Sequence, residues 1–333
     1  MQKEVITAVQ ISTDGTDLLE LDGQGITTLT RFGTRTAVTV LDLDQKDVLE
    51  QAFSVSLKPH RPHAVHTPLR ARSLIVNSLQ NPYLMHAILA VTAIHDRYQG
   101  ASTAIAVPTR REAYHASQGA SLLNQKLSGS IPPQDRDTLW MTATYLGIVA
   151  FCSNVAETPE ESWPLKSRPQ DLGWLRMTEA KMAIWELANP LQPGSLFQNM
   201  AKEYHNMYTP LPAAPIEGAP PALLHLCRIA GSSSATNNPY YTAVRTLAPL
   251  FHANSGKILR SQLLSFGTQM QVEFRALLRG RDPIALLILA LWYEKAHSQI
   301  WWIWHRATVE YQAISLYLRQ YHGDNRAIME LLA

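Results

Sequence analysis

The strongest pattern in this chain runs from Asp282 to His305. A polar residue and a proline are followed by an unbroken apolar run and then by a cluster of aromatics and histidines. Asp282 can cap a helix whose first position is Pro283, where a missing N–H costs nothing and a fixed φ suits the turn. The run is apolar on every face instead of along one stripe, so the spacing predicts a central, buried helix. Beyond it, Tyr293, His297, Trp301 and Trp304 recur at intervals of four, four and three. On one continuous helix these four form a single stripe.

Elsewhere the apolar period is also helical. Leu84, Ala87, Ile88, Val91 and Ile94 give a helix over 83–98 a buried face, opened by Asn81-Pro82. Thr109–Leu127 reads as a second long helix, stopped by Ser128-Gly129. Arg136–Cys152 reads as a third, led in by Pro132-Pro133-Gln134-Asp135. Leu172–Leu187, Ser195–Tyr204, Pro221–Ile229, Pro239–Phe251, Lys257–Leu278 and Arg306–Tyr321 follow, and Gln45–Phe53 and Pro68–Gln80 are shorter candidates. Asn154–Asp171 and the proline-rich Pro210–Pro221 read as loops, the latter the longest exposed connection. The first 45 residues differ. Val9, Ile11 and Thr34–Val40 have strand propensity, but Gly15, Gly23, Gly25 and Gly33 cut them short, and Asp17–Leu21 could equally be helical. With no βαβ alternation, the expectation is an all-α fold. It comprises about ten helices in one bundle-like domain over 46–333, after an irregular N-terminal arm over 1–45.

Composition narrows the function classes. Apolar residues at 46% and charged ones at 17% suit a well-packed globular chain. A net charge of +2 with no Lys/Arg cluster removes the footprint of direct nucleic-acid binding. Cys152 and Cys227 are the only cysteines and lie far apart, which excludes a disulfide scaffold and a multi-cysteine metal site. The N-terminus has no basic segment followed by an apolar one, and no apolar run is long enough to span a membrane. A cytoplasmic location is expected, or a nuclear one for a regulator; self-association as a homodimer is left open.

Most catalytic signatures are missing. Gly100 and Gly231 open no phosphate-cradling loop, and Gly23 and Gly25 lack the third glycine of a dinucleotide fingerprint. No Gly-x-Ser-x-Gly elbow or His-Glu-x-x-His helix occurs. His60, His63 and His66 sit in a proline-rich loop without a carboxylate or cysteine beside them, and Glu160-Glu161 reads as solvated. No metal and no cofactor are expected. The polar groups set inside apolar helices are the better candidates: His86 on the first long helix, His115 on the second, Tyr145 on the third, and Tyr293 and His297 in the opening run. Each is also explained as a core residue with a hydrogen-bonded tip. Together with Trp292, Trp301, Trp302 and Trp304 they can instead line an apolar pocket with a few convergent polar groups, the usual form of a small-molecule site.

The run Asn81-Pro-Tyr-Leu-Met-His-Ala-Ile-Leu-Ala-Val-Thr-Ala-Ile-His95 resembles a helix of the fungal-specific transcription-factor regulatory domains. Arg111–Leu123 and Asp171–Lys181 resemble later segments of that family, with Glu179-Ala180 in place of its glycine region. Pro283–Trp302 resembles its C-terminal signature, from which Ile303-Trp304-His305 departs. Asp17–Leu21 with Thr27–Thr30 is compatible with its entry segment, so the likeness spans roughly residues 17–305. The resemblance implies an all-helical domain similar to that of the sterol-uptake regulators, with an apolar pocket. Those regulators carry a six-cysteine zinc cluster that this chain lacks, so it reads as a stand-alone protein.

Two functions follow from the resemblance. In the first, a fungal secondary-metabolism protein binds an apolar terpenoid or polyketide and catalyses a cofactor-free cyclisation or isomerisation of Diels–Alder type. His86, Tyr145, Tyr293 and His297 would be its donors. His115, Trp292, Trp301, Trp302 and Trp304 would shape its cavity. Holding reacting ends together and placing donors on a developing charge are sufficient for such chemistry. In the second, the same pocket senses a sterol or metabolite for a transcription factor, without catalysis.

Overall fold

The computed structural model describes residues 77–78, 80–100, 108–153, 156–168, 171–208, 216–252 and 258–332, and the backbone of four strands in the N-terminal arm. The strands are Thr7–Gln10 (β1), Leu19–Leu21 (β2), Ile26–Arg31 (β3) and Thr34–Val40 (β4), antiparallel in the order β1-β4-β3-β2. The arm expected to be irregular thus carries short strands, one of them formed by Leu19–Leu21. The expected helix over 45–53, most of that over 68–80, and His60, His63 and His66 lie outside the described residues.

The body is all-α. Its helices are α1 (Pro82–Gly100), α2 (Arg110–Leu127), α3 (Arg136–Cys152), α4 (Gly173–Ala188), α5 (Ala201–Tyr208) and α6 (Pro221–Leu226). They continue with α7 (Tyr241–His252), α8 (Arg260–Thr268), α9 (Val272–Arg279), α10 (Pro283–Ala296), α11 (Trp301–His322) and α12 (Arg326–Leu331). Buried side chains from Tyr83 to Leu332 join in one hydrophobic cluster.

Helix α10 is the axis of that cluster. Asp282 Oδ1 accepts from the backbone N–H groups of Ile284 and Ala285 at 3.1 and 2.9 Å, which satisfies two of the unpaired donors at the helix start. Leu286, Leu287, Ile288 and Leu289 point to four different sides of the helix, and all are fully buried. Each such side chain contributes about 1.5–3 kcal/mol on leaving water, so the helix is held from all directions.

The chain departs from the expected helix over 283–305. Helix α10 ends with His297 as its C-cap, and Ile300, at φ −135° and ψ 111°, is the extended residue before α11. No glycine or proline marks this break. It lets α11 fold back along α10 so that the Tyr293 hydroxyl donates to Glu310 Oε2 at 2.6 Å. On one straight helix those residues would be about 25 Å apart. The helix expected over 257–278 is divided as well, into α8 and α9. At the division Thr268 Oγ1 donates to the Met207 carbonyl at 2.6 Å, and Gln269 Nε2 to the Asn206 carbonyl at 3.3 Å. The side chains that end α8 thus serve carbonyls at the end of α5, which have no partner within their own helix. Ser195–Tyr204, expected as one short helix, is a 3-10 turn at Gln198–Met200 followed by α5.

Two buried ion pairs tie the helices. Arg97 on α1 makes a bidentate contact with Glu112 on α2, Nε to Oε1 and a terminal nitrogen to Oε2, both at 2.9 Å. Glu112 is also the far member of a capping box with Thr109. On α11, Arg306 reaches Glu310 Oε1 at 2.6 Å and donates from Nε to the Phe151 carbonyl at 2.7 Å. That carbonyl lies in the last turn of α3, where a cation is favoured. The chain Tyr293–Glu310–Arg306–Phe151 therefore joins α10, α11 and α3.

Helices α1 and α2 approach closely at Gly119, where an added Cβ would stand 3.2 Å from the Ala87 backbone nitrogen. We expect Gly119→Ala to destabilise the fold by about 1–3 kcal/mol in urea unfolding despite the better helix propensity of alanine. Arg306→Met, which leaves a buried carboxylate without its cation, should cost about 3–5 kcal/mol. A variant at either position as stable as the parent would contradict these contacts.

Candidate functional site

Six helices enclose a pocket of about 740 Å³, its open mouth included. Each of four helices turns one face to it. Thr144, Gly147, Ile148 and Phe151 of α3 follow the i, i+3, i+4, i+7 spacing of a helix face, as do Trp174, Thr178 and Lys181 of α4 at i, i+4, i+7. Tyr204, Met207 and Tyr208 of α5 and Leu264, Gly267 and Thr268 of α8 repeat the i, i+3, i+4 part. Trp292 of α10 and Trp302 of α11 complete the wall.

The aromatic wall is built in layers. Trp292 lies between Phe266 and Trp174, nearly parallel to both, with centroids at 5.1 and 6.3 Å. Phe151 meets Trp302 edge-on at 5.2 Å. Trp292 is anchored by its indole N–H, which donates to the Leu263 carbonyl at 2.8 Å. The glycines at 147 and 267 keep the space open: a Cβ at either would meet only a side chain at 3.9 Å, Lys181 Cδ in one case and Trp174 in the other.

Against this apolar wall stand polar atoms without partners. Trp174 Nε1, Trp302 Nε1 and Thr144 Oγ1 are buried and make no hydrogen bond. A buried donor left unpaired costs about 1–3 kcal/mol, so three in one pocket wall need an explanation. Lys181 is half-buried. Its Nζ lies 5.2 Å from the Trp140 ring centroid and 5.5 Å from that of Tyr208. Burial lowers its amine to about 8. The phenols of Tyr204 and Tyr208 are pushed above the usual range by burial, so both stay protonated near neutrality. No Asp, Glu, His or Cys is among the lining residues.

Of the nine residues singled out in the sequence, the structure brings Trp292 and Trp302 to this pocket. His86 and His115 meet each other instead, Nδ1 to Nδ1 at 2.9 Å between α1 and α2. Tyr145 is buried on α3 outside the lining set, its phenol raised above the usual range by burial. The Tyr293 hydroxyl is committed to Glu310, and burial and that carboxylate hold it well above its usual range. His297 Nδ1 lies 2.8 Å from the Glu294 carbonyl at the end of α10. Trp301 packs edge-on to His95 at 4.9 Å, and Trp304 is exposed. The single stripe of Tyr293, His297, Trp301 and Trp304 does not exist, because the turn after His297 separates its halves.

Sequence reasoning did not find Lys181, Thr144 or Trp174. Nothing in the local sequence sets Lys181 apart from other helical lysines. The available signal was Gly147, a glycine inside a long apolar helix, where it costs about 1 kcal/mol relative to alanine unless the space is used.

No protein-family model matches this chain, and a search of curated proteins returns no match. The family resemblance is carried by the quoted motifs alone. Among the described residues no cluster of three metal-ligating side chains occurs, and no helix is long and apolar enough to cross a membrane.

The histidine pair makes a pH prediction. For an Nδ1–Nδ1 hydrogen bond one ring must carry its proton on Nδ1 while the other leaves that nitrogen bare. Burial lowers both to about 4, with His86 and the charge of Arg111 adding to the effect on His115. Unfolded, these rings take up protons near 6.5, so the unfolded state binds more protons between pH 6.5 and 4. Stability from the pair is complete above pH 6.5 and declines on acidification, by about 1 kcal/mol per ring for each pH unit. Urea unfolding from pH 7 to 5 should show this slope, reduced in the double variant His86→Leu, His115→Leu. Equal slopes in the two proteins would contradict it.

Proposed function

We propose that this protein binds an apolar terpenoid or polyketide in the pocket between α3, α4, α5, α8, α10 and α11. On that guest it acts as a cofactor-free cyclase or isomerase. The observation that carries the reading is the set of unpartnered donors on Trp174, Trp302 and Thr144 within an aromatic wall. A guest with carbonyl or carboxylate oxygens would satisfy them after a shift of the surrounding rings, since each atom is closed to solvent as packed, while its hydrocarbon portion fills the apolar space.

The same arrangement suits a reaction that needs no nucleophile. Walls from six helices restrict a flexible guest, so its reacting ends meet more often than in water. An indole N–H or the Lys181 ammonium on a carbonyl oxygen stabilises charge that develops there, and one such donor is worth about 3–4 kcal/mol of barrier. The resemblance to fungal regulatory domains supports a guest cavity in the same fold class and adds nothing about catalysis.

The test uses linear terpenoid and polyene ketones, with binding read from tryptophan fluorescence and product from chromatography. Saturable binding with turnover above the buffer rate is expected. Gly147→Leu should fill the pocket and abolish both signals while helix content and thermal stability hold, since leucine improves helix propensity by about 0.8 kcal/mol. Binding without turnover would leave the ligand-sensing reading in place of catalysis. Binding unaffected by Gly147→Leu would remove the pocket from the account.

A further inference from the structure

We infer that Lys181 is the anchor for a carboxylate, so that the guests of this pocket are apolar carboxylic acids. The inference rests on the pocket being a ligand site and specifies what that site selects.

The charge pattern inside the protein is the main support. A cation taken out of water is costly unless an anion and hydrogen bonds accompany it. The two arginines buried in the core obey this rule: Arg97 has Glu112 at 2.9 Å and Arg306 has Glu310 at 2.6 Å. Lys181, less deeply buried than either arginine, has no such partner among the described residues. Its Nζ lies 5.2 and 5.5 Å from the ring centroids of Trp140 and Tyr208 and makes no ion pair or hydrogen bond among the described residues. Facing rings offset part of the lost hydration, about 0.5–2 kcal/mol, and supply no anion. The lining residues hold this one cation and no acidic group.

The neighbouring atoms have the same polarity. Trp174 Nε1 and Trp302 Nε1 can only donate, and both lack an acceptor. A pocket with a free ammonium and free N–H donors, and no acid of its own, is complementary to a ligand rich in acceptor atoms. A carboxylate supplies two acceptor oxygens and the missing charge together. Placement follows from packing. Lys181 stands one turn from Thr178 on the pocket face of α4, and its aliphatic stem passes Gly147, where a Cβ would stand 3.9 Å from Cδ. The stem therefore lies along α3 while its head is within the aromatic wall. Lowering of the amine to about 8 is what an unpaired ammonium in such surroundings shows, and most of it is still charged at pH 7.

The experiment measures binding of cis-parinaric acid, a fluorescent polyene acid, and of its methyl ester. The proteins are the parent chain, Lys181→Met, Lys181→Arg and Gly147→Leu. The parent should bind the acid about tenfold or more tightly than the ester. Lys181→Met, which keeps the length of the stem, should weaken the acid far more than the ester and bring the two affinities together. Lys181→Arg should restore part of the preference. Equal affinity for acid and ester in the parent, or full affinity for the acid in Lys181→Met, would overturn the anchor. If Gly147→Leu still weakens both probes in that case, the pocket stands as a ligand site and only its acid selectivity is lost. Failure of the parent to bind either probe would count against the pocket and the anchor together.

Discussion

Arg306 holds the arrangement on which the rest of the structure depends. The last turn of α3 ends in carbonyls that have no partner within the helix, and one of them, Phe151, is buried. Arg306 supplies the donor, Glu310 supplies the charge that Arg306 needs, and Tyr293 donates to the second oxygen of Glu310. Burial pushes the Glu310 carboxyl up and Arg306 pulls it back, so each member depends on the others. The consequence reaches the pocket, because each tie sits beside a wall residue. Phe151 is itself in the wall, Trp292 precedes Tyr293, and Trp302 lies one turn before Arg306. The polar chain fixes the backbone, and the aromatic rings fill the other side of it.

That division of labour separates two kinds of buried polar group. Several between helices are satisfied: Arg97 by Glu112, His86 by His115, the Trp140 indole by the Tyr204 hydroxyl at 3.0 Å. On the pocket wall the indoles of Trp174 and Trp302 and the Thr144 hydroxyl are not, and the Lys181 amine, only partly buried, has no ion pair among the described residues. Other buried polar atoms, among them Thr92 Oγ1, Ser162 Oγ and Ser315 Oγ, are unpaired elsewhere; the pocket wall is distinguished by gathering three around one open space.

Much of the helical fold was readable. The bounds of α3, and of α1 and α2 to within two residues, follow from strong local signals: Asn81-Pro82, Thr109 before Glu112, and an uninterrupted apolar period. The start of α10 was equally plain in Asp282-Pro283. The break at 297–300 was not, because it is imposed by the tertiary need to bring Glu310 back to Tyr293 and leaves no glycine or proline behind. The division at 269–271 is hidden for the same reason, being set by the carbonyls of α5. The site was less legible still. Tryptophans at 292 and 302 stood out by composition, whereas Lys181, Trp174 and Thr144 acquire their meaning only when α3 and α4 are side by side. The histidines and tyrosines chosen for their position inside apolar helices found partners across helix contacts, as buried polar tips generally do.

The central claim is that the unpaired indoles of the pocket wait for a ligand, and the indole N–H signals of the eight tryptophans report on it directly. On addition of cis-parinaric acid to the 15N-labelled protein, the Trp174 and Trp302 signals should move to the positions of hydrogen-bonded indoles. Trp140 and Trp292, already bonded within the protein, should hold. So should Trp301, whose unpaired indole lies outside the pocket. Saturating probe that leaves Trp174 and Trp302 where they were, or that moves Trp301 instead, would contradict the account.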